Sequence, residues 1–467
     1  MRRLLMYGLV LLAGAARAST NFVPVAVEFT RVTAGPAGTV LEWNAPPGAG
    51  WLMEVESRDS LAGGAWAVAP NGGELATNRY VDPRPSAGER FYRLTPLALP
   101  AARGRVINTT LLKTYPRSEL QLIFLFAGIS VTPQSPVALH KVAYETVDPW
   151  GGRTTASGTV AVPVGVANPL PLVSYQHGTV LEDAELPSRQ GTESLVGVVF
   201  ATTGYAAVMP DYLGLGDSPG FHPYHHAKTH ATATVDLLRA ARTWASSNAV
   251  ALNGRVFLTG YSQGGHATLA AHREIEALHR NEFNLVAVGA GAGAYDLAGV
   301  TAEAFTGTGV HPNPYYLPYF LLGLAAAYPA DAAALRGMLA PPYRTTVPPL
   351  FDGLRDAGAI NAALPAVPSA ALDPAQLEAF RTDPGHFLRR LLRENSLLDW
   401  RPLAPLRLYH CGGDLDVSPA NATRARDALA AAGAASVQVF DPRPSADHGD
   451  CAVPALLAVK TWFDSLR

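Results

Sequence analysis

Cysteine is scarce in this chain: only Cys411 and Cys451 occur among 467 residues. Two thiols exclude a cysteine-rich zinc module and a small disulfide-stapled scaffold. An excess of charge is also missing, since 36 Lys and Arg face 38 Asp and Glu for a formal net charge of −2. That balance excludes the basic footprint of a nucleic-acid binder and gives no hold on an anionic membrane surface. Long apolar runs are lacking beyond the N-terminus. The nearest approach, Leu321 to Ala327, falls well short of the roughly 20 residues that a spanning helix needs.

What is present points to an exported globular protein of more than one domain, with an apolar fraction of 48%. Arg2 and Arg3 precede an apolar run from Leu4 to Ala13, and Ala16-Arg17-Ala18 supplies small residues for cleavage. This pattern predicts a signal peptide over 1–18, removed after Ala18, and a secreted mature chain with no transmembrane segment. The run is too short to favour an uncleaved anchor. In such a protein a lone cysteine pair is most simply a disulfide.

Residues 19–100 read as short strands separated by turn clusters: Val23 to Phe29, Val40 to Trp43, Trp51 to Val55, Trp66 to Val68, Tyr80-Val81 and Phe91 to Leu94. Pro24 confines the first to a sheet edge. The spacing predicts a small all-β sandwich that resembles a fibronectin type III-like module. Trp43, Trp51 and Trp66 read first as its core and second as a carbohydrate-binding surface. Leu97 to Gly104 is the expected linker, and Leu111 to Phe126 carries a mostly helical apolar pattern.

Lys141 to Val147 and Ala156 to Val164 form a predicted hairpin across Trp150-Gly151-Gly152. Strand-like runs at Leu170 to Tyr175, Ala206 to Pro210, Val256 to Thr259, Leu285 to Gly289, Leu406 to Tyr409 and Val437 to Phe440 then alternate with helical stretches, notably Thr229 to Ala245, His266 to Leu278 and Ala455 to Leu466. Such alternation predicts an α/β domain over 105–467, with a mostly parallel sheet covered on both faces. It is interrupted over about 291–400 by a helical stretch rich in aromatics, including Tyr315, Tyr316, Tyr319 and Phe320. We read this as a cap over the site, its aromatics either shaping an acyl pocket or only holding the cap's own core together.

The chemistry centres on Gly260-Tyr261-Ser262-Gln263-Gly264, between an apolar run and an Ala-rich helical stretch. Strand, sharp turn and helix put the serine hydroxyl at the tip of the turn, and the two glycines permit close packing there. Gly216-Asp217-Ser218-Pro219-Gly220 matches the same pattern. It fails because the residue after the serine must donate its backbone N–H to an oxyanion, and Pro219 has none.

Ser262 needs a base and an orienting acid, which in this architecture follow in the order acid, then histidine, on loops after late strands. Asp414, the first carboxylate past Gly412-Gly413, is the expected acid, with Asp416 second. His448, the only histidine after the last strand, is the expected base. Gln263 is expected to supply one oxyanion N–H and Thr179 the other, with Gly178 as alternative and His177 structural. If these loops converge, Cys411 and Cys451, three residues from Asp414 and His448 respectively, should bond and clamp them. The histidines at 222, 225, 226 and 230 lack a metal-binding pattern, so no metal is expected there.

Tyr175-Gln176-His177-Gly178-Thr179, Pro210 to Gly216, Gly260 to His266 and the late Asp and His loops together resemble secreted bacterial lipases and esterases of the α/β-hydrolase fold. The likeness extends to cell-wall-degrading esterases of plant-associated bacteria and the related secretory lipases. It covers roughly 105–467 and implies hydrolysis of a small-molecule, lipid or polysaccharide carboxylic ester through an acyl-enzyme, with no cofactor. A serine peptidase with the same triad, and a non-catalytic glycan-binding or adhesion protein, are the competing readings. Asn108-Thr109-Thr110 and Asn421-Ala422-Thr423 fit glycosylation sequons.

Overall fold

The computed structural model describes residues 29–35, 38–43, 51–59, 67–70, 75, 79–84, 90–98 and 103–467. The expected signal peptide, the strand residues from Val23 to 28, Trp66 and the side chain of Trp51 lie outside them. The chain divides into two compact units, Met1–Ala101 and Ala102–Arg467.

In the first unit, β1 (Phe29–Gly35), β2 (Gly38–Trp43) and β5 (Arg79–Asp82) form one antiparallel sheet. The other comprises β3 (Trp51–Arg58), β4 (Ala67–Val68) and β6 (Phe91–Ala98). Leu41, Trp43 and Tyr80 of one sheet share a buried core with Met53 and Val55 of the other. Trp43 is therefore a core residue, which removes it from any exposed sugar-binding face.

The second unit is built on a nine-stranded sheet in the order β15-β14-β13-β12-β10-β11-β9-β8-β7. β7 (Val106–Tyr115), β8 (Val137–Val147) and β9 (Arg153–Pro163) are antiparallel, and β9 pairs antiparallel with β11 (Ala206–Pro210). From β11 the sheet is parallel through β10 (Leu170–Gln176), β12 (Leu252–Tyr261), β13 (Asn284–Gly291), β14 (Leu406–Tyr409) and β15 (Val437–Phe440). Along β12, Val256 and Leu258 enter one core and Phe257 the opposite one. A strand buried on both faces is what a parallel sheet requires. Helices α3 (Ala227–Ser247) and α4 (Gln263–Leu278) contribute to the first core; α2 (Ser194–Thr202) and α13 (His448–Asp464) contribute to the second.

Two boundaries differ most from expectation. Leu111 to Tyr115, expected as helix, completes β7, and α1 (Arg117–Phe126) begins only after Pro116. Thr114, and Thr109-Thr110 just before the stretch, favour extended backbone, and the register with β8, Thr110 opposite Lys141 and Thr114 opposite Ala138, overrides the local apolar pattern. The final helix starts at His448 rather than Ala455 and accommodates Pro454 within it. That proline forgoes one backbone hydrogen bond without ending the helix.

Between β13 and β14 the chain leaves the sheet. A π-helical turn at Leu297–Thr301 leads into α5 (Ala302–Thr306), α6 (Tyr316–Ala327), α7 (Ala332–Gly337), α8 (Tyr343–Thr346), α9 (Ala357–Asn361), α10 (Pro374–Thr382) and α11 (Phe387–Asn395). This insertion has its own core, in which Tyr315, Tyr316, Tyr319 and Phe320 are all buried. Helix α12 (Ala420–Ala431) follows β14. Asn421 is 1% exposed and its Oδ1 accepts the Asp296 N–H at 3.0 Å, so the second sequon is inaccessible in the folded chain.

Candidate active site

Parallel strands bring their C-terminal ends to one sheet edge. Gln176 of β10 is level with Gly260 of β12, Tyr261 with Gly291, Gly291 with Tyr409 of β14, and Tyr409 with Phe440 of β15. The loops that leave these ends therefore converge.

Ser262 links β12 to α4 with φ 60° and ψ −123°, a left-handed value that is strained for a residue with a Cβ. The glycines make this turn fit. A Cβ on Gly260 would lie 2.3 Å from the Gly264 carbonyl oxygen, and one on Gly264 only 1.9 Å from that of Gln176. The Ser262 N–H donates to Gly291 at 2.9 Å. Ser218, by contrast, lies in the loop between β11 and α3.

Ser262 Oγ lies 2.8 Å from His448 Nε2, and His448 Nδ1 lies 2.6 Å from Asp414 Oδ2. A proton on Nδ1 satisfies the carboxylate and leaves Nε2 to accept the serine O–H. His448 is the first residue of α13, just after its cap Asp447, and its backbone carbonyl accepts the Tyr261 hydroxyl at 2.7 Å.

Asp414 is 2% exposed. Burial opposes its ionisation, but hydrogen bonds from His410 and His448 and from the Val417 backbone outweigh it and hold the carboxyl well below the usual carboxylate range. Its Oδ1 accepts the N–H groups of Asp416 at 3.0 Å and Val417 at 2.9 Å. Asp416 points elsewhere, its Oδ1 meeting Asn313 Nδ2 from the insertion.

His410 was not singled out by the sequence. Its Nε2 lies 2.8 Å from the Val417 carbonyl and 3.1 Å from Asp414 Oδ2, so that nitrogen carries a proton shared between them. The available signal was a histidine at the end of β14, four residues before the acid. Cys411 and Cys451 form a disulfide, both fully buried, joining the loop that carries Asp414 to the helix that begins with His448.

On the other side of Ser262, a Cβ on Gly178 would lie 3.7 Å from the Ser262 Cβ, which puts the 176–179 loop against the serine. The N–H groups of Gln263 and Thr179 donate to no protein group among the described residues. His177 is buried, with Nδ1 at 2.7 Å from the Gly178 carbonyl and Nε2 at 3.2 Å from that of Asp211. The histidines at 222, 225, 226 and 230 are likewise buried, and no group of residues suited to a metal ion occurs among the described residues.

A cavity of about 40 Å³ opens beside Ser262 and Gln263. Its walls include Val300, Phe305, Tyr316 and Phe320 from the insertion and Val417 from the Asp414 loop. Tyr316 and Phe320 thus serve both the insertion's core and this cavity.

The profile of the secretory lipase family matches residues 188–464. Among solved structures, the cell-wall-degrading esterase LipA of Xanthomonas oryzae, in a ligand-bound form, is 28% identical with a TM-score of 0.69, covering 78% of this chain and 100% of its own. A hydrolase-like protein of Legionella pneumophila is also 28% identical, with a TM-score of 0.70 over 77% of this chain and 98% of its own. Candida antarctica lipase A shares the fold at 19% identity and a TM-score of 0.58, covering 78% of this chain and 83% of its own. No curated protein sequence matches.

Proposed function

The chain belongs to the secretory lipase family, and from that premise we propose that it is a secreted carboxylic ester hydrolase acting through an acyl-enzyme on Ser262. The observation that carries the reading is the unbroken chain of contacts from Ser262 Oγ through His448 to Asp414 Oδ2, at 2.8 and 2.6 Å.

Ser262 attacks the ester carbonyl as its proton passes to His448 Nε2. The resulting imidazolium is stabilised by Asp414, which accepts from Nδ1 without taking the proton. Negative charge gathers on the carbonyl oxygen, where the N–H groups of Gln263 and of Thr179, or Gly178 in its place, receive it. Collapse of the adduct expels the alcohol, which takes its proton from His448. A water that gives its proton to the same nitrogen then releases the acid and restores Ser262.

The helical insertion forms the cap over the site. The small cavity beside Ser262 suits an acyl group of a few carbons, with the ester alcohol left toward solvent. The family and the disulfide support export through a leader over 1–18, and the strand spacing supports a fibronectin type III-like N-terminal module over 19–100 that presents the enzyme to a polymeric or lipid substrate.

Hydrolysis of p-nitrophenyl esters from acetyl to palmitoyl tests the reading. Butyrate should exceed palmitate by about tenfold or more in kcat/KM, and Ser262→Ala should be inactive while retaining the wild-type melting temperature. Activity that survives in Ser262→Ala would move the nucleophile elsewhere, and hydrolysis of peptide amides in preference to esters would make the protein a peptidase.

A further inference from the structure

The mechanism above uses the backbone N–H of Gln263 and makes no use of its side chain. That side chain enters a buried polar cluster. Gln263 Nε2 lies 2.6 Å from His222 Nε2 and 3.0 Å from His230 Nε2, and each of the three residues is at most 3% exposed.

The protons of this cluster can be assigned from its ends inward. His222 Nδ1 is 2.7 Å from the Leu213 carbonyl, which only accepts. Nδ1 therefore carries the proton, and Nε2 of the neutral ring is an acceptor. At the other end His266 Nε2 is 2.8 Å from the Asn395 carbonyl, so it donates and His266 Nδ1 accepts. His230 Nδ1, 3.4 Å from that nitrogen, must then be the donor, which leaves His230 Nε2 as an acceptor. Both chains end in acceptors aimed at one amide, and Gln263 meets them with one N–H hydrogen each. The opposite orientation would set its carbonyl oxygen against two acceptors.

The assignment requires neutral rings. Burial pushes His222 down to about 3 and His266 down to about 4, and burial with mutual repulsion holds His230 well below its ordinary value. The anchors also sit on separate elements: His222 on the loop after β11, His230 on α3 and His266 on α4. Tyr212, itself at φ 71°, backs both His222 and His230 at ring separations of 5.8 and 4.9 Å.

We propose that His222 and His230 are positioning residues which, by holding both amide hydrogens of Gln263, fix the first residue of α4 and aim its backbone N–H at the oxyanion formed on Ser262. The proposal rests on the ester-hydrolase reading. It adds that the oxyanion donor, which no side-chain replacement can delete, is controlled by side chains that never touch the substrate. Gln263 Oε1 is buried without a partner among the described residues, so the amide is held through its donors, and removal of either ring frees one of them.

The test compares His230→Leu and Gln263→Met with His230→Gln, whose side-chain oxygen can stand where Nε2 accepts. Kinetics on p-nitrophenyl butyrate, thermal unfolding, and affinity for an alkyl boronic acid that forms a tetrahedral adduct with Ser262 are measured on the full chain. His230→Leu and Gln263→Met should lose about 10- to 100-fold in kcat, short of the full loss of an oxyanion donor, with KM within about twofold of wild type and boronate affinity reduced in step. His230→Gln should recover most of the loss. Unchanged kcat in His230→Leu, a loss expressed in KM alone, or no difference between folded Leu and Gln variants overturns the proposal. If His230→Leu does not fold, the same pair at His222 carries the comparison. A wild-type chain that hydrolyses no ester overturns the functional reading instead.

Discussion

A single oxygen distinguishes the two late carboxylates. Asp414 Oδ2 meets His448 and His410, while its Oδ1 takes two backbone N–H groups of its own loop. Asp414 thus braces its own loop with one oxygen and meets the histidine with the other. Asp414→Asn keeps an oxygen for the backbone donors but presents an NH2 group that cannot accept from His448 Nδ1. It should lower kcat by about 10⁴-fold and also lower the melting temperature, since the bonds that the buried carboxylate accepts from His448 and His410 are lost. Asp416→Asn should stay within about twofold of wild type, because its carboxylate meets Asn313 of the insertion rather than His448. Steady-state kinetics on both variants checks the pair, and a severe loss in Asp416→Asn would reverse the assignment. Proximity in sequence could order these candidates but could not tell where each oxygen points. His410 was invisible for the same reason, since it matters only through a turn that brings it back onto Asp414.

At the scale of elements, the turn from β12 to α4 and the disulfide hold the site from opposite sides. Gly264→Ala would put a methyl group 1.9 Å from the Gln176 carbonyl oxygen, so backbone must move. A loss of about 3 kcal/mol or more is expected, read as a lowered urea midpoint together with loss of activity. The elbow was legible because its glycines follow from local packing of strand on helix. The disulfide closes a loop with a sequence separation of 40 residues, for which chain entropy gives about 4 kcal/mol. The double variant Cys411→Ser, Cys451→Ser should unfold at correspondingly lower denaturant, and an unchanged midpoint would show that the loops need no clamp. The stretch from Leu111 to Tyr115 was misread because an edge strand bonded along one side carries little periodicity. Its extended form is set by β8, where Leu111 pairs with His140 and Tyr115 with Val137.

Over the whole molecule, the buried histidines set a pH dependence. Burial depresses His222 and His226 to about 3 and His266 to about 4, and takes His225 and His230 well below the ordinary value of 6.5. Above pH 6.5 these rings are neutral in both folded and unfolded chains, and their full contribution is present. Below it the unfolded chain takes up protons that the native state refuses, so stability falls as pH drops from about 6.5 toward 4, by up to about 1.4 kcal/mol per pH unit for each ring. Asp414 adds a further loss below the ordinary carboxylate range. Urea unfolding at pH 7.5, 6.5, 5.5 and 4.5 should give steadily lower midpoints, and a flat profile would contradict the burial of neutral rings.

The sequence by itself determined the alternation of strands and helices, the glycine-flanked Ser262, the elimination of Ser218 by Pro219, and the order in which an acid and a histidine had to follow. Each of these depends on backbone chemistry or on a short period that a linear string records. The tertiary structure alone decided which carboxylate faces His448, that His410 supports it, and that Tyr316 and Phe320 line a cavity as well as a core. It also decided that His222 and His230, which belong to no metal pattern in the sequence, converge on the Gln263 amide, with His266 behind His230. Those outcomes depend on side-chain direction across loops brought together by strands far apart in the chain, and direction is fixed only when the sheet closes.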